Sequence, residues 1–199
     1  MPESEGANNQ YLIVGLGNPG REYRGNRHNV GFMTLDRLAQ HLGASFSRVE
    51  SRALVTKSNY RDDKLVLAKP QTFMNRSGQA VAALARFYKI PGENILVVYD
   101  DVDLPFGVLR LRPEGSSGGQ KGIASVIESL STQSFPRLRI GIDQPPGRMD
   151  TAAYVLQDFG KNQAEELPAI LDQAVQAVLT FVEEGIQAAM NKFNGTVEV

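Results

Sequence analysis

Short apolar runs alternate with helical patterns along this chain, and polar or glycine-rich segments follow several of the runs. Residues 11–16 (YLIVGL) are nearly all apolar and end among glycines, which predicts a buried parallel strand. Residues 30–42 bring Phe32, Leu35, Leu38, Ala39 and Leu42 to one helical face, and Gly43 stops the pattern. Residues 53–58 and 64–68 read as strands joined by the turn-like NYRDD. Residues 78–88 hold good helix formers ended by Pro91, and residues 95–99 (ILVVY) are the clearest buried strand. Further strands are predicted at 108–111 and at 137–142, the second alternating as a half-exposed strand does. Residues 117–130 give a glycine-rich entry to an amphipathic helix, and residues 163–190 give helical segments broken at Pro168 and Gly185.

Strands alternating with helices predict a single α/β domain with a mixed, mostly parallel twisted sheet flanked by helices. The domain is expected to begin near Gln10, with residues 1–9 as a disordered lead-in and residues 10–199 as the catalytic domain. Ligands of such sheets gather at the carboxyl ends of strands. GLGNPG, KPQTFMN, YDDVD and GIDQP all lie at or just after predicted strand ends.

Composition narrows the chemistry. At 42% hydrophobic and 22% charged over 199 residues, the chain carries enough apolar material for a real core. It has no cysteine, which excludes disulfides, thiolate metal sites and thiol catalysis. No apolar run approaches the ~18 residues of a membrane helix. The opening MPESEGANNQ lacks the basic and apolar regions of a secretory signal, so a cytoplasmic protein is expected. Net charge is −1, but residues 1–149 hold 19 Lys and Arg against 14 acids, whereas residues 150–199 hold 2 against 8. A basic body with an acidic tail leaves room for a local nucleic-acid surface without establishing one.

Four constellations carry candidate chemistry. Gly15-Leu16-Gly17-Asn18-Pro19-Gly20 matches G-x-G-x-x-G, yet Pro19 intervenes and helical periodicity waits until about Asn29, which speaks against a dinucleotide loop. Asn18 in that tight turn offers an amide in a fixed place. Of the two histidines, His41 sits late in a helix, while His28 stands at a loop-to-helix junction as a cap or as a base working near neutral pH. Asp100, Asp101 and Asp103 read as a metal cluster, as a solvated loop, or as the source of an acid that orients a histidine. Asp100 is best placed for the last, and without a G-x-S-x-G motif the attacking group is water. Residues 115–122 (GSSGGQKG) read either as an anion-binding helix entry or as a mobile loop, not as a P-loop.

In this order, LIVGLGNPGREYRGNRHNVGF, KPQTFMNRSGQAV, ILVVYDDVDLPFG and FPRLRIGI resemble bacterial-type peptidyl-tRNA hydrolase over nearly the whole chain. The resemblance implies cleavage of the ester between a peptidyl group and the 3′ adenosine of tRNA, by a monomer, with neither metal nor cofactor. Carried over by position, it makes His28 the base, Asp100 its supporting acid, and Asn18 the amide that separates blocked from free aminoacyl ends. It makes Asn75 a peptide-binding amide, puts Tyr23 and Phe73 along the substrate, and assigns Arg112 and Arg139 to the 5′ phosphate of the tRNA. One position departs from the family: Lys121 stands where a substrate-contacting asparagine is usual, in Gly119-Gln120-Lys121-Gly122 instead of G-H-N-G. Lysine is donor-only and charged, so attraction to the tRNA end is expected of it. A tRNA surface is expected around Arg110, Arg112, Lys121, Arg137 and Arg139. A non-catalytic RNA-binding relative and a metal-dependent hydrolase built on the three aspartates are the competing readings.

Overall fold

Eight strands hydrogen-bond into one mixed sheet in the computed structural model of the chain, which describes residues 8–196. They are β1 (Gln10–Gly15), β2 (Arg48–Glu50), β3 (Ala53–Tyr60), β4 (Asp63–Pro70), β5 (Ile95–Asp101), β6 (Val108–Arg112), β7 (Arg137–Gly141) and β8 (Gly195–Thr196). Their spatial order is β2-β3-β4-β1-β5-β7-β6-β8. The central strands β4, β1, β5 and β7 run parallel, and the pairs outside them are antiparallel. A parallel centre is covered on both faces, which is why β1 and β5 read as continuous apolar runs rather than alternating ones.

The helices are α1 (Val30–His41), α2 (Ser77–Phe87), α3 (Lys121–Leu130), α4 (Thr151–Val155), α5 (Lys161–Glu184) and α6 (Ile186–Phe193). Strand alternation divides the core between them. Ile13, Leu65, Leu67, Leu96 and Val98 pack with α1 and α5, whereas Leu12, Val14, Val66, Val97 and Tyr99 pack with α2 and α3. The chain leaves β1 toward β4 on one side and returns from β4 to β5 on the other. The direction of winding therefore reverses at β1, and the loops after β1, β4 and β5 open into one crevice.

The glycines after β1 serve packing. A Cβ on Gly15 would fall 2.3 Å from the carbonyl oxygen of Gly31, and one on Gly31 would fall 2.4 Å from that of Val98. The start of α1 thus lies backbone against backbone on β1 and β5. Two short 3-10 turns, Arg21–Tyr23 and Arg27–Asn29, separate the glycines from α1, so no helix opens at them as a dinucleotide loop requires.

Pro168 does not break the C-terminal helix, contrary to expectation. α5 runs from Lys161 through it to Glu184. Pro168 and Ala164, whose carbonyl loses its i+4 donor there, are both exposed, so water can satisfy that oxygen. Ile170, Ala174, Val178 and Val182 meanwhile bury the helix's other face. Gly185, at φ 89°, does end the helix as expected. Strand β2, of 3 residues, and helix α4, of 5, are too short to show a hydrophobic period. Of the lead-in expected over 1–9, residues 1–7 lie outside the described residues. Asn9 already docks on the sheet, donating its N–H to Asp63 Oδ1 and accepting from the Lys64 N–H, each at 2.9 Å.

The acidity of the C-terminal segment is partly neutralised within the fold. Arg37 pairs with Asp172 at 2.6 Å, Arg61 with Glu183 at 2.8 Å, and Lys192 with Glu184 at 2.6 Å.

Candidate active site

The crevice is a cavity of about 740 Å³ lined by Asn18, His28, Phe73, Asn75, Asp100 and Lys121, together with Gln120 and apolar groups of α4. β5 runs two residues further than its apolar stretch suggests, which carries Asp100 to the cavity floor as a strand residue only 2% exposed. His28 comes from the turn Arg27–Asn29, and its Nδ1 lies 2.7 Å from Asp100 Oδ2. A carboxylate accepts there, so Nδ1 is the donor, and in the neutral imidazole Nε2 carries the lone pair. Nε2 has no partner among the described residues, and His28 lines the cavity.

Buried groups hold this turn. The Arg27 N–H donates to the Gln157 carbonyl at 3.0 Å, and its guanidinium lies 4.2 Å over the Tyr154 ring. Asn26 Nδ2 donates to Asp158 Oδ1 at 2.8 Å. Residues from the connection between α4 and α5 therefore fix a histidine far away in sequence.

Asn18 is locked in one orientation. Its Oδ1 accepts the Met74 N–H at 2.8 Å, and its own main chain exchanges two hydrogen bonds with the Asn29 side chain, at 2.8 and 3.0 Å. A backbone N–H demands an acceptor, so Asn18 must turn its Nδ2 donor outward. Asn29 and Met74 had not been singled out in the sequence. Asn29 follows His28 directly, and Met74 sits between Phe73 and Asn75, so adjacency to candidate residues was the available signal.

Gln120 was also missed. Its Nε2 donates to Asp100 Oδ1 at 3.1 Å, while its Oε1 accepts the Ile123 N–H at 2.8 Å and caps α3. The three aspartates do not converge. Asp100 faces His28 and Gln120, whereas Asp101 accepts from Arg139 Nε at 2.6 Å and from the Asp103 N–H at 2.8 Å. Among the described residues, no three of His, Asp and Glu gather as a metal set.

The outer wall is looser. Phe73 is 61% exposed, and Asn75 and Lys121 are exposed beside it. Tyr23 is half-buried in the turn Arg21–Tyr23 and does not line the cavity. Arg112 and Arg139 lie on the β6–β7 pair outside it, where Arg139 stands opposite Arg110 and Arg112 opposite Arg137.

Arg137 corrects the expected basic surface. It is 1% exposed and donates to the carbonyls of Gly115 at 2.7 Å and Gln133 at 2.7 Å, so it is a structural pin and not a phosphate contact. Alternation along β7 put it on the correct face, but the loop after β6 folds over that face. Burial pulls its guanidinium below the ordinary arginine value. Burial also pushes the Tyr99 phenol up to about 12, so it remains a neutral neighbour of Arg137 and Arg139.

The peptidyl-tRNA hydrolase family model matches residues 12–199. The chain belongs to the peptidyl-tRNA hydrolase family. It is 49% identical over 185 residues to the peptidyl-tRNA hydrolase of Chloroflexus aggregans, covering 92% of this chain and 98% of that one. It is 47% identical over 185 residues to that of Thermoanaerobacter pseudethanolicus, covering 93% of this chain and 100% of the other. The crystal structure of peptidyl-tRNA hydrolase from Acinetobacter baumannii superposes with a TM-score of 0.88 at 34% identity, covering 94% of this chain and 95% of that one. The family consists of hydrolases acting on an ester bond, and its fold is the mixed α/β sheet described above. Among the described residues, no helix is long and apolar enough to cross a membrane.

Proposed function

We propose that this chain hydrolyses the ester of peptidyl-tRNA with water held and deprotonated by His28, supported by Asp100. The observation that carries this reading is the 2.7 Å contact between His28 Nδ1 and the buried Asp100, which leaves Nε2 on the cavity side. Water bound at Nε2 attacks the acyl carbon as its proton passes to the imidazole. Asp100 stabilises the imidazolium so formed. When the tetrahedral intermediate collapses, the bond to the ribose 3′ oxygen breaks and that oxygen takes the proton back from His28. Asn18 Nδ2 is the fixed donor aimed at the acyl oxygen.

The same amide accounts for selectivity. With Oδ1 occupied by Met74, Asn18 shows the cavity a donor only, and Lys121 is donor-only as well. A peptidyl group offers carbonyl oxygens to such donors. A free aminoacyl ester brings an ammonium, which has only donors and gains no partner from them. Asn75 and Phe73 extend the wall along the peptide. Lys121 draws the anionic tRNA end, and the forks of Arg112 and Arg139 take the 5′ phosphate. Arg139 commits Nε to Asp101, which leaves its two terminal nitrogens for that task. On this reading Tyr23 flanks the substrate beyond the cavity, and the chain works as a cytoplasmic monomer without metal or cofactor.

The test is hydrolysis of an N-blocked aminoacyl-tRNA and its unblocked counterpart, by wild type and by His28→Ala, with and without chelator. Chelator-resistant cleavage of the blocked ester alone, lost in His28→Ala, is the expected result. Tight tRNA binding without cleavage would overturn it in favour of a binding relative.

A further inference from the structure

We propose that Gln120 is a positioning residue for the His28–Asp100 pair, fixing the carboxylate from the side opposite the imidazole; this rests on the reading of that pair as the catalytic one. Helix N-caps favour Ser, Thr, Asp and Asn, whose short side chains fold back onto the first N–H groups. α3 is capped by the longer Gln120, which accepts the Ile123 N–H at 2.8 Å. A cap alone gives no reason for that length. The other end of the amide supplies one.

Because Oε1 is tied to a backbone N–H, the amide cannot flip, and Nε2 is delivered to Asp100 Oδ1 at 3.1 Å. Nε2 also lies 3.5 Å from the sulfur of Met74, the residue whose N–H orients Asn18. Asp100 is 2% exposed, and its two side-chain hydrogen bonds come from His28 on Oδ2 and Gln120 on Oδ1. Two donors on opposite oxygens define the plane of the carboxylate, and the imidazole follows that plane. Removal of the Gln120 donor leaves a buried oxygen unpaired and the carboxylate free to turn about its bond. Serine or aspartate at this position would cap α3 equally well, yet is too short to span to Asp100. Capping and positioning are therefore separable by mutation.

The experiment compares wild type, His28→Ala, Gln120→Ser and Gln120→Glu on the blocked ester, with Tm measured for each. Gln120→Ser keeps a cap and loses the reach, while Gln120→Glu keeps cap and length but sets an oxygen against Asp100. Both are expected to lose about tenfold or more in kcat, with KM within about twofold and, for the serine variant, Tm within a few degrees. A serine variant with wild-type kcat would overturn the proposal, as would a kcat loss matched by an equal rise in KM. If Gln120→Ser fails to fold, Gln120→Glu decides: wild-type kcat there overturns the proposal, and a kcat-selective loss sustains it. An inactive wild type, or an active His28→Ala, would instead strike the reading of the pair itself.

Discussion

The inner and outer walls of the cavity are built on different principles. On the inner wall, Asn18, His28, Asp100 and Gln120 are held by hydrogen bonds whose donors and acceptors permit one orientation each. On the outer wall, Phe73, Asn75 and Lys121 are exposed and make no such network among the described residues. Reacting atoms demand placement to a fraction of an ångström, whereas a long, variable polyanion needs attraction and tolerance. Substitutions on the inner wall should therefore act on kcat, and those on the outer wall on KM and its salt dependence.

The largest effect is expected from His28→Ala and Asp100→Asn, each losing roughly 10²–10⁴ in kcat with little change in KM, as read from steady-state kinetics. An amide at position 100 would donate to Nδ1, move the proton to Nε2 and block the base. Asn18 comes next. Asn18→Ala unpairs the buried Met74 N–H and should cost about 1–3 kcal/mol in denaturant unfolding. Asn18→Asp keeps that acceptor but sets a carboxylate oxygen where the donor faced the acyl oxygen. Its expected result is a loss of kcat on the blocked ester and a narrower gap to the unblocked one, read from steady-state kinetics on both.

Lys121→Ala should raise KM several-fold, leave kcat within about twofold, and flatten the dependence of log KM on log salt by roughly one unit. A loss confined to kcat would move Lys121 to the inner wall.

The smallest effect lies far from both walls. Arg37→Ala should leave activity unchanged and cost less than about 1 kcal/mol, because the Arg37–Asp172 pair is largely exposed. The Arg37 guanidinium holds the Asp172 carboxyl below its usual 3.8. A depressed carboxyl stabilises the fold above that value and loses the contribution as pH falls through the folded-state pKa. Any Tm difference between Arg37→Ala and wild type should thus be present at neutral pH and vanish in acid below 3.8.

The sheet and the helices α1, α2 and α3 were legible because burial on one or two faces imposes a period on the sequence. Asn18 and Asp100 stood out as polar residues just beyond apolar runs, and His28 as one of two histidines, at a loop-to-helix junction; the structure brings all three to one cavity. What escaped depends on what folds over what. Pro168 reads as a breaker until its freed carbonyl is seen to face solvent. Arg137 reads as a surface cation until the loop after β6 is seen to cover it. Gln120 reads as one polar residue in a glycine-rich loop, since its contact with Asp100 spans 20 residues and forms only after that loop folds back. Such contacts leave no periodic trace.

The turn that carries His28 takes its supports from distant parts of the chain: a carboxylate from β5, and ring and carbonyl partners between Tyr154 and Phe159. Synthesis from the amino end supplies these parts late. A nascent chain carries this histidine before its acid, has no pair until β5 has emerged, and has no anchored pair until residues 154–159 follow. A truncated product ending before Tyr154 would therefore hold His28 and Asp100 without the groups that anchor the turn between them.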